Sequence, residues 1–293
     1  MQVGKLGVWA GLDGMTAAEA LAFAQRTEKR GFSVLWTPES RGRNVLVNAA
    51  WLLAGTTKLV IASGIANIYA RDAMAMVNAQ RGLNEQSANR FLLGLGVSHK
   101  PMVCDLRGHA YGRPVQTMRA YLEAMRSAPY QAPLPSEPPR TVLAALGPKM
   151  LALAAEMTDG AHPYCVTPEH TAQARRILGP GKLLCPELMV LLETDPARAR
   201  AAARKALATY IQLANYANNW RRLGFTEDDL AGGGSNRFVD ANVAWGDESA
   251  IRKRIQLFWD AGADHVSIQS IDPSGSRTTI AEGIFDLLAP AGR

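Results

Sequence analysis

Two side chains in this 293-residue chain stand just past apolar runs and carry groups that move protons: Glu39 after residues 32–37, and His99 after residues 91–96. A carboxylate in that position accepts a hydrogen bond from a ligand or works as an acid or base, and it equally well fixes its own loop or caps a helix. Imidazole titrates near neutrality, so His99 is either a proton carrier or a structural residue. Leu146-Gly147-Pro148 offers donors instead of acids. It opens a helix whose positive end suits a phosphate or carboxylate, although Pro148 has no N–H to give and the same residues also make an ordinary turn. Ser63-Gly64 ends a run rich in β-branched residues. A glycine there lets a flat ligand approach the backbone, or simply eases the turn.

These positions need a scaffold that brings strand ends together, and the chain supplies one by alternation. Residues 5–10 read as a strand, and Thr16-Ala-Ala-Glu19 is a capping box that opens a helix running to about Arg30, where Gly31 stops it. Residues 32–37 make a second strand, 47–53 a helix and 59–62 a third strand. Asp72 then caps a helix that carries Met74, Val77 and Leu83. The pattern repeats with strands at 91–96, 141–145, 161–166, 183–192 and 265–270. Helices start at Pro114, Pro148, Pro168, Pro196 and Glu248, and a closing one spans 279–288. Pro186 interrupts the seventh strand, and the proline-rich 129–139 segment is an excursion over the surface. Arg198, Arg200, Arg204 and Lys205 read as a solvated helix face, and Arg71 beside Asp72 as a loop-bracing ion pair. Residues 212–238, with Gly232-Gly-Gly-Ser235, break the rhythm as an inserted helical loop with a mobile tip, either a lid or a surface loop.

Eight buried-type strands separated by helices predict a single α/β domain over 1–293, a (β/α)8 TIM barrel with its site at the carboxyl ends of the strands. Trp9, Ser40, Asn67 and Tyr164 stand at those ends as the expected substrate contacts. Gly94-Leu-Gly96 lacks the third glycine of a dinucleotide fingerprint. A hydrophobic fraction of 47% and a charged fraction of 20% describe a globular chain. The net charge of +6 is spread without a basic aromatic block, so nucleic-acid binding is not indicated, while a polyanionic small ligand suits it. The three cysteines have no ligand spacing, which argues against a metal site or a disulfide framework and suits the reducing cytoplasm. No run reaches the ~18 apolar residues of a membrane span, and the start of the chain lacks an export pattern.

Gly64-Ile-Ala-Asn-Ile-Tyr-Ala-Arg-Asp72, Phe91-Leu-Leu-Gly-Leu-Gly-Val-Ser-His99, Gly108-His-Ala-Tyr-Gly-Arg-Pro114 and Ala144-Ala-Leu-Gly-Pro148 together resemble the bacterial-luciferase-like family. Within it they are similar to the branch that uses the deazaflavin coenzyme F420. The resemblance implies hydride transfer between F420 and a small organic substrate; the family's alternatives are an FMN-dependent monooxygenase and a non-catalytic subunit. It also implies a homodimer. It places a non-prolyl cis peptide at Gly64-Ile65, backing the cofactor ring together with Ser63 and Ala66. Glu39 takes the place of an acidic cofactor contact, Val97 and Ser98 lie beside the ring, and Leu146 to Pro148 receive the phosphate. The family's sugar-phosphate dehydrogenases carry a histidine and a glutamate where this chain has Ser40 and His99. That departure points away from sugar phosphates and makes His99 the proton donor or acceptor expected near the ring, with Glu39 as the alternate.

Overall fold

The computed structural model describes residues 1–276 and 279–290. The chain runs β1 (Leu6–Trp9), α1 (Ala17–Lys29), β2 (Val34–Thr37), α2 (Val45–Ala54), β3 (Val60–Ser63), β4 (Ala66–Asn67), α3 (Ala73–Gln86), β5 (Phe91–Gly96), α4 (Pro114–Ser127), β6 (Thr141–Leu143), α5 (Pro148–Met157), β7 (Gly160–Ala161) and α6 (Pro168–Leu178). It continues with β8 (Leu183–Leu184), β9 (Glu187–Leu192), α7 (Pro196–Ile211), α8 (Ala214–Arg222), α9 (Glu227–Leu230), α10 (Asn236–Asn242), β10 (Val243–Gly246), α11 (Glu248–Asp260), β11 (Val266–Ser270) and α12 (Gly283–Leu288). Side-chain caps start α1 and α3 as the sequence predicts. Thr16 and Glu19 complete a reciprocal box on α1, and Asp72 accepts the Ala75 N–H at 2.8 Å at the start of α3.

All pairings are parallel, and they close a barrel. β11 lies beside β1, with Leu6 opposite Val266, and the order continues through β2, β3, β5, β6 and β7 to β8. β8 and β9 are two halves of one strand, split where Pro186 has no N–H to give. The seam closes because β8 pairs with β7 while β9 pairs with β11. Bonds from Cys185 N to the Ala161 carbonyl (2.9 Å) and from Ser267 N to the Pro186 carbonyl (3.0 Å) carry it across the split.

The inside of the barrel departs from the branched aliphatic filling usual in this fold. Trp9, Val34, Trp36, Val60, Leu92, Val142 and Cys185 form its apolar part. Trp36 stacks on His162, with centroids 4.0 Å apart and planes 8° from parallel, and donates its indole N–H to His265 Nε2 at 3.1 Å. Because an indole N–H only donates, His265 carries its proton on Nδ1 and gives it to the Gly4 carbonyl at 2.6 Å. Gly7 makes room for this arrangement, since a Cβ there would lie 2.6 Å from the His265 ring.

Four elements differ from the sequence reading. The sixth strand is only Gly160–Ala161, because Pro163 and the positive φ of Cys165 (52°) turn the chain away. β10, which pairs with β9, has no counterpart among the expected strands. The last helix begins at Gly283, not at residue 279. The insert is built of packed helices around Trp220 and Phe238, with a 3₁₀ turn at Ala231–Gly233 in place of a free tip. Arg204 anchors that tip by bonds to the Gly234 carbonyl (2.8 Å) and Asn236 (2.6 Å), and Arg200 pairs with Asp240 at 2.8 Å. The basic face of α7 is therefore a tether as well as a solvated surface. No helix among the described residues is long and apolar enough to cross a membrane.

Candidate functional site

The strand ends converge on Gly64. Its peptide bond to Ile65 is cis, and the loop that follows lies against β5, Ala66 opposite Leu95 and Asn67 opposite Gly96. Ser63 is the last residue of β3. Its hydroxyl is buried, donating to the Gly94 carbonyl and accepting the Gly94 N–H, both at 2.9 Å, so it stitches β3 to β5. A Cβ on Gly64 would lie 2.7 Å from Trp9 Nε1 and 3.3 Å from His162 Nε2. Both of those nitrogens are buried and have no hydrogen-bond partner, and Thr37 Oγ1 is in the same state. His162 Nδ1 donates to the Cys185 carbonyl at 2.6 Å, which leaves Nε2 with its lone pair. Burial pushes the His162 imidazole down to about 4, the Cys185 bond only partly offsetting this.

Glu39 is used by the protein itself. Its backbone N–H meets the Ile65 carbonyl at 3.3 Å, one carboxylate oxygen accepts the Asn67 N–H at 2.9 Å, and the other pairs with Arg71. The bracing role expected of Arg71 is present, but its partner is Glu39, because Asp72 is occupied as a helix cap. Asn67 also caps the short turn after it through the Tyr69 N–H at 2.9 Å. Ser40 is exposed nearby.

His99 lies apart from this cluster, where the chain leaves β5. Val97 packs on the main core, and Ser98 adopts a positive φ of 56° with its carbonyl accepting the Tyr111 hydroxyl at 3.2 Å. The His99 side chain meets the insert: it hydrogen-bonds Asn215, and its ring is 5.7 Å from that of Tyr216. Burial holds its pKa below the usual histidine range, and the Asn215 bond opposes this.

Over the mouth lies a run of aromatic rings, where the sequence reading expects an opening for a planar guest. Trp9 contacts Tyr164 at 5.2 Å, Tyr164 contacts Tyr210 and Tyr216, and Tyr216 leads on to Trp220. The Tyr164 hydroxyl donates to Gln269 at 2.6 Å and lies 2.7 Å from the Tyr210 hydroxyl. Leu146, next to Gly147 and Pro148, packs against the same aromatic cluster. His170 donates its Nε2 proton to the Leu146 carbonyl at 2.8 Å, Gly147 caps α5 without a side chain, and Pro148 takes the first helical position.

The barrel thus brings Trp9, Gly64, Tyr164 and His162 together, sets Glu39 and Asn67 beneath the Ile65 loop, and holds His99 and Leu146 to Pro148 at the rim under α8. The sequence reading missed the α8 residues Asn215, Tyr216, Asn219 and Arg222. The spacing of Tyr216, Ala217 and Trp220 was the available signal, since it places one apolar face on a helix.

A sequence profile of the luciferase-like monooxygenases matches residues 3–265. Rv3520c of Mycobacterium tuberculosis, whose name provisionally assigns it to the coenzyme F420-dependent oxidoreductases, is 26% identical over 88% of this chain and 91% of its own. Among solved structures, the coenzyme F420-dependent tetrahydromethanopterin reductase of Methanopyrus kandleri superposes with a TM-score of 0.78 at 15% identity, covering 98% of each chain. The FMN-bound oxygenating constituent of 3,6-diketocamphane monooxygenase from Pseudomonas putida has the same fold at a TM-score of 0.67 and 12% identity, covering 98% of this chain and 96% of its own.

Proposed function

The chain belongs to the luciferase-like monooxygenase family, and on that premise we propose that it is an oxidoreductase that binds coenzyme F420 and exchanges a hydride with a small organic substrate. The observation that carries this reading is the likeness to Rv3520c, which runs through nearly the whole of both chains. The site fits such a group in two respects. Trp9 Nε1 and His162 Nε2 are buried donor and acceptor atoms without partners beside Gly64, and the first turn of α5 has no side-chain cap.

When bound, the deazaflavin supplies the carbon that carries the hydride. The rest belongs to the protein. The Gly64-Ile65 loop, held by Glu39 from below, gives a flat ligand a fixed backing, and position of this kind is a large part of what an enzyme contributes. Trp9, Tyr164 and Tyr216 exclude water from the strand ends, which strengthens every remaining polar contact there. His99 is held neutral by burial and oriented by Asn215, so a ring nitrogen of its imidazole takes the proton released when the substrate gives up a hydride and returns it when the substrate receives one.

Titration of the purified protein with F420 and with FMN tests the reading. Selective binding of F420 is expected. Selective binding of FMN replaces the reading with an oxygen-using monooxygenase, and binding of neither leaves a protein without this cofactor chemistry.

A further inference from the structure

Beyond Ala161 the chain leaves the extended path of β7, and side chains take over part of the ladder it shares with the split strand β8–β9. Cys185 N–H donates to the Ala161 carbonyl and Glu187 N–H to the Pro163 carbonyl, both at 2.9 Å. Pro163 has no N–H to return, and the Cys185 carbonyl accepts the His162 Nδ1 proton at 2.6 Å instead. The chain then turns at Cys165, whose φ of 52° lies outside the range of a strand. Its N–H donates to Glu187 Oε2 at 3.1 Å.

Glu187 therefore holds both peptide groups that flank Tyr164, one through its backbone and the other through its side chain. A left-handed conformation is unfavourable for a residue with a Cβ, so the turn at Cys165 depends on the bond that holds it. Glu187 is completely buried at the first position of β9. A carboxyl group in such a place is costly, and an apolar side chain fills it more cheaply. What the carboxyl group secures is a ring at the centre of the aromatic cover. Tyr164 lies 5.2 Å from Trp9, 5.3 Å from Tyr210 and 6.3 Å from Tyr216, and its hydroxyl reaches Gln269 on β11.

We propose that Glu187 is a positioning residue: by fixing the Pro163–Cys165 turn it sets where the Tyr164 ring stands over the mouth, and with it the passage of a planar ligand to the strand ends. The consequence for a redox ligand rests on the function proposed above; the seating of Tyr164 does not.

The test uses the full chain with fluorotyrosine incorporated and compares the natural protein with Glu187→Gln and Glu187→Ala. Glutamine keeps an oxygen that accepts the Cys165 N–H, and alanine has none. In Glu187→Ala, protection of the Cys165 amide against hydrogen exchange is expected to fall about tenfold or more relative to the Cys185 amide. The Tyr164 fluorine resonance, assigned by its loss in Tyr164→Phe, is expected to move toward that of an exposed ring. Glu187→Gln is expected to restore both. A general loss of stability moves the two amides together, so their ratio separates positioning from folding. Equal losses at both amides, a Tyr164 resonance unmoved in Glu187→Ala, or a Glu187→Gln variant as disturbed as Glu187→Ala overturns the proposal. Glu187→Met keeps volume without the oxygens and replaces Glu187→Ala if the latter does not fold.

Stopped-flow mixing with F420 and with FMN reads the passage. The limiting rate of uptake of the ring that binds is expected to rise about tenfold in Glu187→Ala and to return in Glu187→Gln. An unchanged limiting rate overturns the proposal. If neither ring binds, the proposed function fails, while the exchange ratio and the fluorine resonance still decide the seating of Tyr164.

Discussion

Glu39 and Arg71 form an ion pair at the barrel rim whose side chains are 5% and 10% exposed, and the same carboxylate holds the Asn67 N–H. Removing one partner of such a pair strands a charge away from water, at a cost of roughly 3–5 kcal/mol. Glu39→Ala is expected to lose that much in urea unfolding and to loosen the Ile65–Asn67 loop, with weaker ligand binding as a result. The double variant Glu39→Leu with Arg71→Met is expected to recover most of the stability. A loss below about 1 kcal/mol in the single variant contradicts this bracing role.

His99→Ala is expected to lower turnover by about 10²-fold with cofactor affinity nearly unchanged. Unchanged turnover removes His99 from the proton step. Asn215→Leu gives the finer test. The Asn215 bond raises a pKa that burial lowers, so its loss moves the acidic limb of the rate profile to lower pH, because the neutral imidazole then persists further into acid.

His162 and His265 are both pushed down to about 4 by burial. In the unfolded chain each titrates near its ordinary 6.5, so on acidification the unfolded state takes up protons first. Stability is full above that value and falls as pH drops from about 6.5 toward about 4, by roughly 3 kcal/mol for each histidine. Urea midpoints across this range read the effect directly. A flat stability profile between these limits contradicts the buried neutral state of the two rings.

Gly64→Ala is expected to destabilise the fold by about 1–3 kcal/mol, because the added methyl group would meet Trp9 Nε1 at 2.7 Å and the indole is itself packed against Tyr164. Thermal unfolding monitors the loss. Trp9→Leu in the same chain relieves the contact and is expected to return part of it.

Much of the scaffold is written in local patterns. The Thr16–Glu19 box, the Asp72 cap and the Gly147-Pro148 helix start are short-range features, and each stands where the spacing places it. The split at Pro186 follows likewise from a missing N–H. What the sequence conceals is pairing at a distance. Nothing near Glu39 announces Arg71, and the adjacent Asp72 looks like the natural partner until its oxygens are seen to cap α3. Residues 161–166 look like one strand because they form a short, mostly apolar run, yet Pro163 and the positive φ of Cys165 bend the chain after Ala161, and His162 is buried against Trp36. Arg222 is unremarkable in a polar segment; only the packing of α8 across the rim brings it to Gly147.

The unbroken contact of rings from Trp9 to Trp220 sets a condition on any planar guest. To lie on the Gly64 loop it must trade places with side chains that already satisfy one another, so its grip is a difference between two sets of stacking contacts, not a sum. Uptake should accordingly reach a ceiling rate that more ligand does not raise, fixed by how often Tyr164 and Tyr216 part company.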